Sequence, residues 1–458
     1  MTSIQLDSFP HTQRLSVDDS KALGKAARER APRSAHADWG PAADRIDAAA
    51  QVRADELDLL QELVPVRHER MSVSAFTFYR GSAGIMAADL RATPTSGIHV
   101  QLCGDAHLSN FGVFASAERN LLFDVNDFDE TLVGPWEWDV KRLAASFVLA
   151  ARNQDFAAER VAESAELSVR YYREAMSQFA QSSLLEVWYA SLPAEGLRDQ
   201  LNDPKMLKQF DANIAKARKR TSMRQFDKLT EIVDGDRRIV SDAPLVLPLR
   251  DAPELVAAHD LDALIHEQFS AYAATLSPDR RQLLARYRLA DVALKVVGVG
   301  SVGTRCLIAL LEGRDWDDPL LLQFKEAGTP ALQESGGLPA SPYDNQGQRV
   351  VEGQRLMQSS SDIFLGWTRG PKGRDFYWRQ LADMKGSYDV DNAVPDGLAL
   401  YARACGWTLA RAHARSGNAV AIDAYLGKKA TFDEAVTEFA ERYADQAEAD
   451  FAVFKASL

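Results

Sequence analysis

Two short polar segments of this sequence carry the side chains whose types and spacing could do chemistry. The segment "GDAHLSN" places Asp105, His107 and Asn110 within a few residues, and "NDFDET" adds Asp127 and Asp129 shortly afterwards. Carboxylate and amide oxygens suit a hard cation such as Mg²⁺, which uses few protein ligands because it keeps water and takes further oxygens from phosphate. The two segments together therefore predict a site for magnesium and the phosphates of a nucleotide.

The elements around these segments predict that the acids lie at the ends of two consecutive strands. "GIHVQLC" and "NLLFDV" are strand-like apolar runs, and each leads directly into one of the acidic segments. A long helical region from about Trp138 to Met223 follows, with apolar residues at three-and-four spacing. A lone Asp or Asn at such a place is most often a turn or helix-cap residue. The prediction therefore depends on the combination of acids.

The first segment also carries a resemblance to a known family. "CGDAHLSN" resembles the H-G-D-x-H-x-x-N catalytic loop of aminoglycoside phosphotransferases and related kinase-like enzymes, with Cys103 in place of the first histidine. "VNDFDETLVGPWEWDVKRLA" is similar to the segment that follows this loop in those enzymes, where Asp139 would brace the loop from a helix start. Residues 78–145 also resemble a bacterial family of unknown function with the signature CGDAHLxNFG, which brings no assigned reaction.

The kinase-like resemblance implies a role for each polar side chain of the two segments. Asp105 would orient a substrate hydroxyl and accept its proton, with His107 beside it in the catalytic loop. Asn110 and Asp127 would hold Mg²⁺, and Asp129 is a further candidate ligand. The expected cofactors are therefore ATP and Mg²⁺, and the expected activity is phosphoryl transfer to an acceptor that the sequence does not identify.

A β-rich region from about residue 290 supplies the phosphate clamp that such an enzyme needs. "VVGVGSVGTRCLIALLEGRDWDDPLLLQFKEA" predicts a strand, a glycine-rich turn and two further strands. Lys325 on the third strand would pair with the α- and β-phosphates, held extended by Glu352 on the next helix, with Glu334 as second candidate. Backbone amides of the turn would approach phosphate closely; its candidate residues are Gly298, Gly300, Ser301 and Gly303.

These parts predict an α+β, kinase-like fold of two lobes that is circularly permuted, because the catalytic loop precedes the small antiparallel β-lobe in the chain. The expected organisation is a loose N-terminal arm at 1–40, a helical large lobe at 41–285, a β-rich nucleotide-clamp lobe at 286–388, and C-terminal helices at 389–458 that complete the large lobe. "GWTLARAHARSGN" resembles the helix before the catalytic loop in the phosphotransferases, and reads equally well as a surface helix.

Several alternatives stay open at this point. "LKVVGVGSVG" followed by "TRCLIALLEG" could be the strand, G-x-G-x-x-G turn and helix of a dinucleotide-binding oxidoreductase. A dinuclear metallophosphatase would need further histidine motifs that the sequence lacks. A kinase-like protein could also bind nucleotide without catalysis, or transfer an adenylyl group. Arg80, next to a glycine turn, could steady an anionic group of the cofactor or simply pair with nearby acids.

Bulk composition limits the partners. The chain has 458 residues, 53 basic and 65 acidic side chains and a net charge of -12, which disfavours binding to nucleic acid. The basic stretch at 205–228 fits a solvated helix face better than a phosphate-binding or substrate-binding surface. Three scattered cysteines, no leader-like N-terminus and no membrane-length apolar run favour the cytoplasm. The oligomeric state stays undetermined.

Overall fold

The structure is a computed structural model that describes residues 15–201, 203–220, 222–233, 235–251, 261–296, 298–300, 302–381 and 383–458. The helices of the described residues are α1 (Val17–Arg30), α2 (Ala48–Asp55), α3 (Val64–Met71), α4 (Ala75–Gly81), α5 (Ala83–Leu90), α6 (Trp136–Asn153), α7 (Ala158–Phe179), α8 (Leu184–Tyr189), α9 (Ala194–Arg198), α10 (Pro204–Arg218), α11 (Ser222–Leu229), α12 (Leu261–Ala274), α13 (Pro278–Leu284), α14 (Ala331–Glu334), α15 (Gln346–Met357), α16 (Pro395–Ser416), α17 (Ala419–Leu426) and α18 (Thr431–Ala456). The strands are β1 (His99–Leu102), β2 (Phe111–Ala115), β3 (Leu121–Val125), β4 (Leu132–Pro135), β5 (Leu192–Pro193), β6 (Thr230–Val233), β7 (Asp236–Ile239), β8 (Val246–Pro248), β9 (Arg288–Lys295), β10 (Cys306–Glu312), β11 (Pro319–Ala327), β12 (Gly366–Arg369), β13 (Asp375–Gln380) and β14 (Gly386–Ser387).

The helical part has its core where α6, α7, α16 and α18 pack together. The three-and-four spacing of apolar residues predicted α6 and α7, and both helices are confirmed. Helix α6 is buried along almost its whole length, because α7 and α18 cover it and the two acidic segments lie at its N-terminal end. This central helix therefore gives the acidic loops a rigid support. Together with the sheet below, it makes the protein a mixed α+β structure, as expected.

The β-rich part is a six-stranded antiparallel sheet in the order β12-β13-β11-β10-β9-β8. Side chains of α12 and α13 pack on one face, and α11 with β7 packs on the other. The small unit therefore begins before the predicted residue 286, since β8 belongs to its sheet and helices on either side of β8 cover the two faces. Strands β6, β7 and β8 lie in residues that the predicted bounds assign to the helical large lobe, 41–285.

The N-terminal segment is also more ordered than predicted. Helix α1 packs against α17, and Arg28 donates to the carbonyl oxygens of Ala424 and Tyr425. The buried ring of His36 lies 2.6 Å from the hydroxyl of Tyr425. The prediction of a loose arm over residues 1–40 therefore does not hold for residues 15–40, because these contacts fix the segment on the C-terminal helices. Residues 1–14 lie outside the described part of the chain.

Helix α4 contains the aromatic run "AFTFYRG", whose residue types are typical of a strand. The side chain of Ser74 accepts from the backbone N–H of Thr77, and the side chain of Thr77 accepts from the N–H of Ser74. This reciprocal capping satisfies two N–H groups at the helix start, so the aromatic run that follows is helical although its residue types favour strands. Arg80 consequently lies in the last turn of a helix.

The glycine-rich turn connects two antiparallel strands. It lies between β9 and β10, and "TRCLIALLEG", the expected helix of the dinucleotide alternative, contains β10 instead. A dinucleotide fingerprint needs a helix directly after the turn to receive the pyrophosphate, so this alternative lacks its structural context. Among the described residues, no helix has the length and apolarity to cross a bilayer.

Candidate functional site

The first candidate element is the Asp105 loop, residues 103–110, which the start of α6 holds in place. The carboxylate of Asp139 accepts from the backbone N–H groups of Cys103 (2.8 Å) and Gly104 (3.0 Å). Gly104 has φ +87°, and a Cβ there would lie 2.1 Å from the carbonyl oxygen of Glu130. Glycine is therefore required at this position, both for the left-handed backbone and for the close approach of the next acidic segment.

Asp105, whose side chain is 19% exposed, forms an ion pair with the buried Arg142 of α6. Burial alone would raise the pKa of Asp105, but Arg142 and His107 hold this pKa below its usual value, so the carboxylate is ionised. His107 Nε2 lies 3.5 Å from the same carboxylate, and burial lowers the pKa of His107 to about 3. The side-chain amide of Asn110 donates to the carbonyl oxygen of Asp105 at 2.8 Å, which leaves the amide oxygen of Asn110 as an acceptor.

The second element is the Asp127 loop, residues 126–131, which lies beside the first. The N–H of Asn126 donates to the carbonyl oxygen of Asn110 at 2.8 Å and joins the two loops. Asp127 Oδ1 is buried and has no hydrogen-bond partner among the described residues. Burial and the neighbouring Asp129 raise the pKa of Asp127. The loop therefore presents a carboxylate oxygen that lacks the partner its buried position calls for.

Asp129 differs from Asp127 because the sheet supplies its partners. The amine of Lys325 contacts one carboxylate oxygen of Asp129, and the hydroxyl of Tyr377 donates to the other at 2.6 Å. The Lys325 side chain is 2% exposed. Burial alone would lower the pKa of Lys325, but Asp129 raises it well above its usual value. The Lys325 amine is thus a buried cation. Asp129, which keeps the amine charged, lies 196 residues away in the sequence.

Strand register explains why these cations meet the acids. Lys325 of β11 lies opposite Tyr377 of β13, and Gln323 lies opposite Arg379. Because alternate residues of a strand share a face, all four side chains lie on one face of the sheet, and the Arg379 guanidinium donates to Gln323 at 3.0 Å. Burial alone would lower the pKa of Arg379, but Tyr377, Asp127 and Asp129 raise it above its usual value. The sheet therefore carries a basic patch that faces the Asp127 loop.

Glu352 and Glu334 do not hold Lys325, in contrast to the prediction. Glu352 pairs with Arg355 on its own helix at 3.1 Å, and the ion-pair partner of Lys325 within the described chain is Asp129. Helix α15 contacts the Asp127 loop through Arg349, whose guanidinium donates to the carbonyl oxygens of Thr131 (2.6 Å) and Asp129 (2.9 Å). The prediction for Glu352 fails because of the orientation of α15, which buries Arg349 against the Asp127 loop and leaves Glu352 half-buried.

The glycine turn lies against the helical part. The carbonyl oxygens of Gly298 and Gly300 accept from Arg70 and Arg67 of α3, and that of Gly303 accepts from the N–H of Leu60 at 2.8 Å. Ser301 lies outside the described residues. A Cβ on Gly300 would lie 3.0 Å from the carbonyl oxygen of Arg80, which places the turn beside α4.

Arg80 itself faces the Asp105 loop without a direct bond to it. Its guanidinium has no hydrogen bond or ion pair to any residue that the structure describes. Burial lowers the pKa of Arg80 from its usual value, and the nearby Asp105 and Asp391 offset only part of this shift. Arg80 is therefore a cation near the site that is available to a ligand.

Basic residues that the sequence patterns did not single out bind the acids next to the two loops. Arg411 forms a fully buried ion pair with Asp124, and His413 Nε2 lies 3.2 Å from Asp139. Both belong to α16, which is therefore a buried helix beneath the site and not a surface helix. Arg142 was missed in the same way. The signal was present in each case, because a charged side chain within an otherwise apolar helix needs a buried counterion.

The site residues predicted from sequence fall into two groups. The structure brings Asp105, His107, Asn110, Asp127, Asp129 and Lys325 into one cluster with Arg80 beside it. Glu352 lies apart from this cluster, and the glycine turn contacts the helices around Arg80. No group of three or more His, Cys, Asp or Glu suited to a metal ion occurs among the described residues. A cation here would depend on a small protein ligand set and on phosphate oxygens.

The fold and site define an α+β protein in which two acidic loops on a helical unit meet a basic patch on a six-stranded sheet. A family model described as "Uncharacterized protein conserved in bacteria" (DUF2252) matches residues 59–457. The chain belongs to this family. No curated protein and no solved structure matches it.

Proposed function

We propose that the protein is an ATP- and Mg²⁺-dependent phosphotransferase that acts on a hydroxyl- or amine-bearing substrate. The observation that carries this proposal is the contact between Lys325 and Asp129. It joins a strand lysine of the sheet to the loop that also bears Asp127, next to the loop that bears Asp105. A phosphate-binding cation, metal-binding oxygens and a base are the three parts that phosphoryl transfer requires.

The proposal includes a kinase-like fold that is circularly permuted. The C-terminal end of α16 meets β1, where the N–H of Gln101 donates to Ser416 Oγ at 3.1 Å. Helix α16 is the element that resembles the helix before the catalytic loop, so its position directly before β1 in space supports a permuted order. Chain connectivity can change in this way while packing is kept.

Asp105 is the proposed base. Arg142 keeps its carboxylate ionised and, by a charge-assisted bond to one oxygen, fixes its orientation. As the acceptor oxygen forms its bond to the γ-phosphorus and ADP leaves, Asp105 takes the proton of the acceptor hydroxyl. His107 is neutral, because burial lowers its pKa to about 3, and therefore adds no positive charge that would compete for this role.

The residues present fit a magnesium ion. Asp127 Oδ1 is buried without a partner, and Asn110 is oriented so that its amide oxygen remains an acceptor. Both belong to loops that a backbone hydrogen bond joins, so one carboxylate and one amide oxygen would hold the ion. Bound there, Mg²⁺ would neutralise charge on the phosphates. Lys325 would share its donors between Asp129 and a phosphate oxygen.

Thermal unfolding with ATP, with and without Mg²⁺, tests the proposal. We expect ATP to raise the melting temperature only with the metal, because a ligand that binds the native state stabilises it. Asp127→Asn should remove this stabilisation. Asp44→Asn, which removes a carboxylate at an exposed position of the helical part, should keep it. Stabilisation by NAD⁺ without metal, or equal stabilisation of both variants, would contradict the proposal.

A further inference from the structure

A large cavity adjoins the Asp105 loop, and its lining residues come from outside the six-stranded sheet. It has a volume of about 620 Å³ and reaches the loop at Ser109, with Arg80 in the same wall. Small-molecule sites have volumes of roughly 300–1,000 Å³. The cavity is therefore large enough for a small metabolite, and it lies where the acceptor of Asp105 would have to enter.

The inner wall of the cavity is aromatic. Tyr388 stacks on Tyr401 with ring centroids 4.5 Å apart, and the ring of Phe123 meets Tyr401 edge-on at 5.5 Å. Phe76 of α4 is buried in the same wall. These packed rings form a rigid surface that offers contact area but few polar groups, so the wall suits the apolar body of a ligand.

The basic segment at 205–228 contributes the opposite wall. Helix α10 turns Phe210, Ile214 and Ala217 toward the cavity, while Arg218 and Lys219 are exposed. Lys216 and Arg220 of the same segment also border the cavity, Lys216 at an exposed position and Arg220 half-buried, with its guanidinium donating to the carbonyl oxygen of Lys385 at 3.0 Å. The segment therefore contributes both an apolar stripe and basic side chains to this wall.

Arg80 is the charged group that distinguishes this cavity. Its guanidinium lacks a hydrogen-bond partner within the described chain, although its Nε is buried. The acids of the cavity wall, Asp389 and Asp391, lie at exposed positions. A desolvated guanidinium with free donors binds a carboxylate or phosphate through two parallel hydrogen bonds. Two other cations line the cavity, but Lys216 is exposed and Arg220 donates to the carbonyl oxygen of Lys385. Among the described lining residues, Arg80 is therefore the cation whose buried nitrogen lacks a partner.

We propose that this cavity binds the acceptor substrate, and that the acceptor is a small organic acid whose apolar body lies on the aromatic wall and whose anionic group meets Arg80. The term acceptor rests on the proposed function; binding of such an acid does not. A hydroxyl on the same molecule would lie within reach of the Asp105 loop, since Arg80 borders both.

A matched set of probes tests the proposal by ligand-observed NMR in the absence of nucleotide. The probes are para-hydroxyphenylpropionate, its neutral amide, tyramine as the cationic counterpart, and phenyl phosphate to separate phosphate from carboxylate recognition. We expect the carboxylate or the phosphate to bind the full-length protein ~10-fold or more tightly than the amide and tyramine, which is the scale of a charge-assisted hydrogen bond.

Two variants assign the effect to Arg80. Arg80→Gln should abolish the preference for the anionic probes, and Arg53→Gln, the same change at an exposed position of α2, should keep it. Equal binding of amide and acid, preference for tyramine, no binding of any probe, or an unchanged preference in Arg80→Gln would each overturn the proposal. The experiment contains no ATP, so loss of magnesium-dependent ATP binding with retained acid binding would refute only the phosphotransferase.

Discussion

The Asp105 loop and the Asp127 loop bring carboxylates to one site, but their surroundings shift the pKa values of these two acids in opposite directions. Asp105 pairs with a buried arginine, which lowers its pKa. Asp127 has an oxygen without a partner, and burial with Asp129 beside it raises its pKa. The folded chain supplies a counterion for the Asp105 carboxylate. The Asp127 carboxylate keeps an oxygen without a partner, as expected of an oxygen that binds an external cation.

Under the proposed function, this difference would give the two acids different tasks. The proposed base, Asp105, would have to be ionised and oriented before the substrate arrives, and its ion pair with Arg142 meets both conditions. The proposed metal ligand, Asp127, would have to keep an oxygen free, and Lys325 and Tyr377 contact Asp129 instead. Unlike environments that move the pKa values of nearby carboxyl groups apart are a usual sign of distinct chemical roles.

Matched substitutions of the two acids should give opposite changes in stability without metal or nucleotide. Asp105→Asn should lower the free energy of unfolding by about 3–5 kcal/mol, because it leaves Arg142 buried without its counterion. Asp127→Asn should leave this free energy unchanged or raise it by up to about 1 kcal/mol, because it removes a buried charge that lacks a partner. Urea denaturation measures both. Similar losses in the two variants would refute the contrast between the loops.

The pair between the loop and the sheet should have a somewhat smaller effect, because the Asp129 side chain is 26% exposed. Lys325→Met should destabilise the protein by about 2–4 kcal/mol, since Asp129 then adds a second uncompensated carboxylate beside Asp127. Asp129→Asn in the same background should recover part of the loss. A double variant no more stable than Lys325→Met, by guanidinium denaturation, would show that Asp129 is not the group that needs the lysine.

Glu130 makes the Asp127 loop sensitive to pH. Burial raises its pKa to about 7 from 4.5, although the N–H of Ala331 donates to its carboxylate at 2.6 Å. Between these two values the folded state binds more protons than the unfolded state. The free energy of unfolding contributed by this group therefore falls as pH rises from 4.5 to about 7.

Glu130→Gln should flatten the pH dependence of stability in this window. The comparison of denaturation midpoints at the two ends of the window gives the effect, and Glu62→Gln, at an exposed position, serves as the control. A slope that Glu130→Gln leaves unchanged would contradict a raised pKa at this position. The Asp105 loop should contribute a slope of opposite sign, because burial lowers the pKa of His107 from 6.5 to about 3 and the unfolded state therefore binds more protons than the folded state between these values.

The sequence predicted the participants of the site better than their pairing. The position of acids at the ends of predicted strands selected Asp105 and Asp127, because this signal is local, and the resemblance to kinase-like enzymes added Lys325. The partner of Lys325 lies far from it in the sequence. Sequence patterns do not show how α15 is oriented against the sheet, and this orientation decides whether Glu352 can reach the lysine. Arg142 and Arg411 were not predicted as site residues. Amphipathic periodicity identifies the buried face of a helix, but it does not identify the counterion of a charged residue on that face. The same limit applies to α4, where a cap outweighed strand-favouring residue types.

The smallest expected effect sharpens the assignment of the lysine's partner. Glu352→Gln should change the free energy of unfolding by no more than about 0.5 kcal/mol, because Glu352 is half-buried and pairs with Arg355 within its own helix. The variant should also keep any magnesium-dependent stabilisation by ATP. If it instead lost stability on the scale of Lys325→Met, the kinase-like pairing of strand lysine and helix glutamate would form in solution, and Asp129 would be released to join Asp127 as a metal ligand.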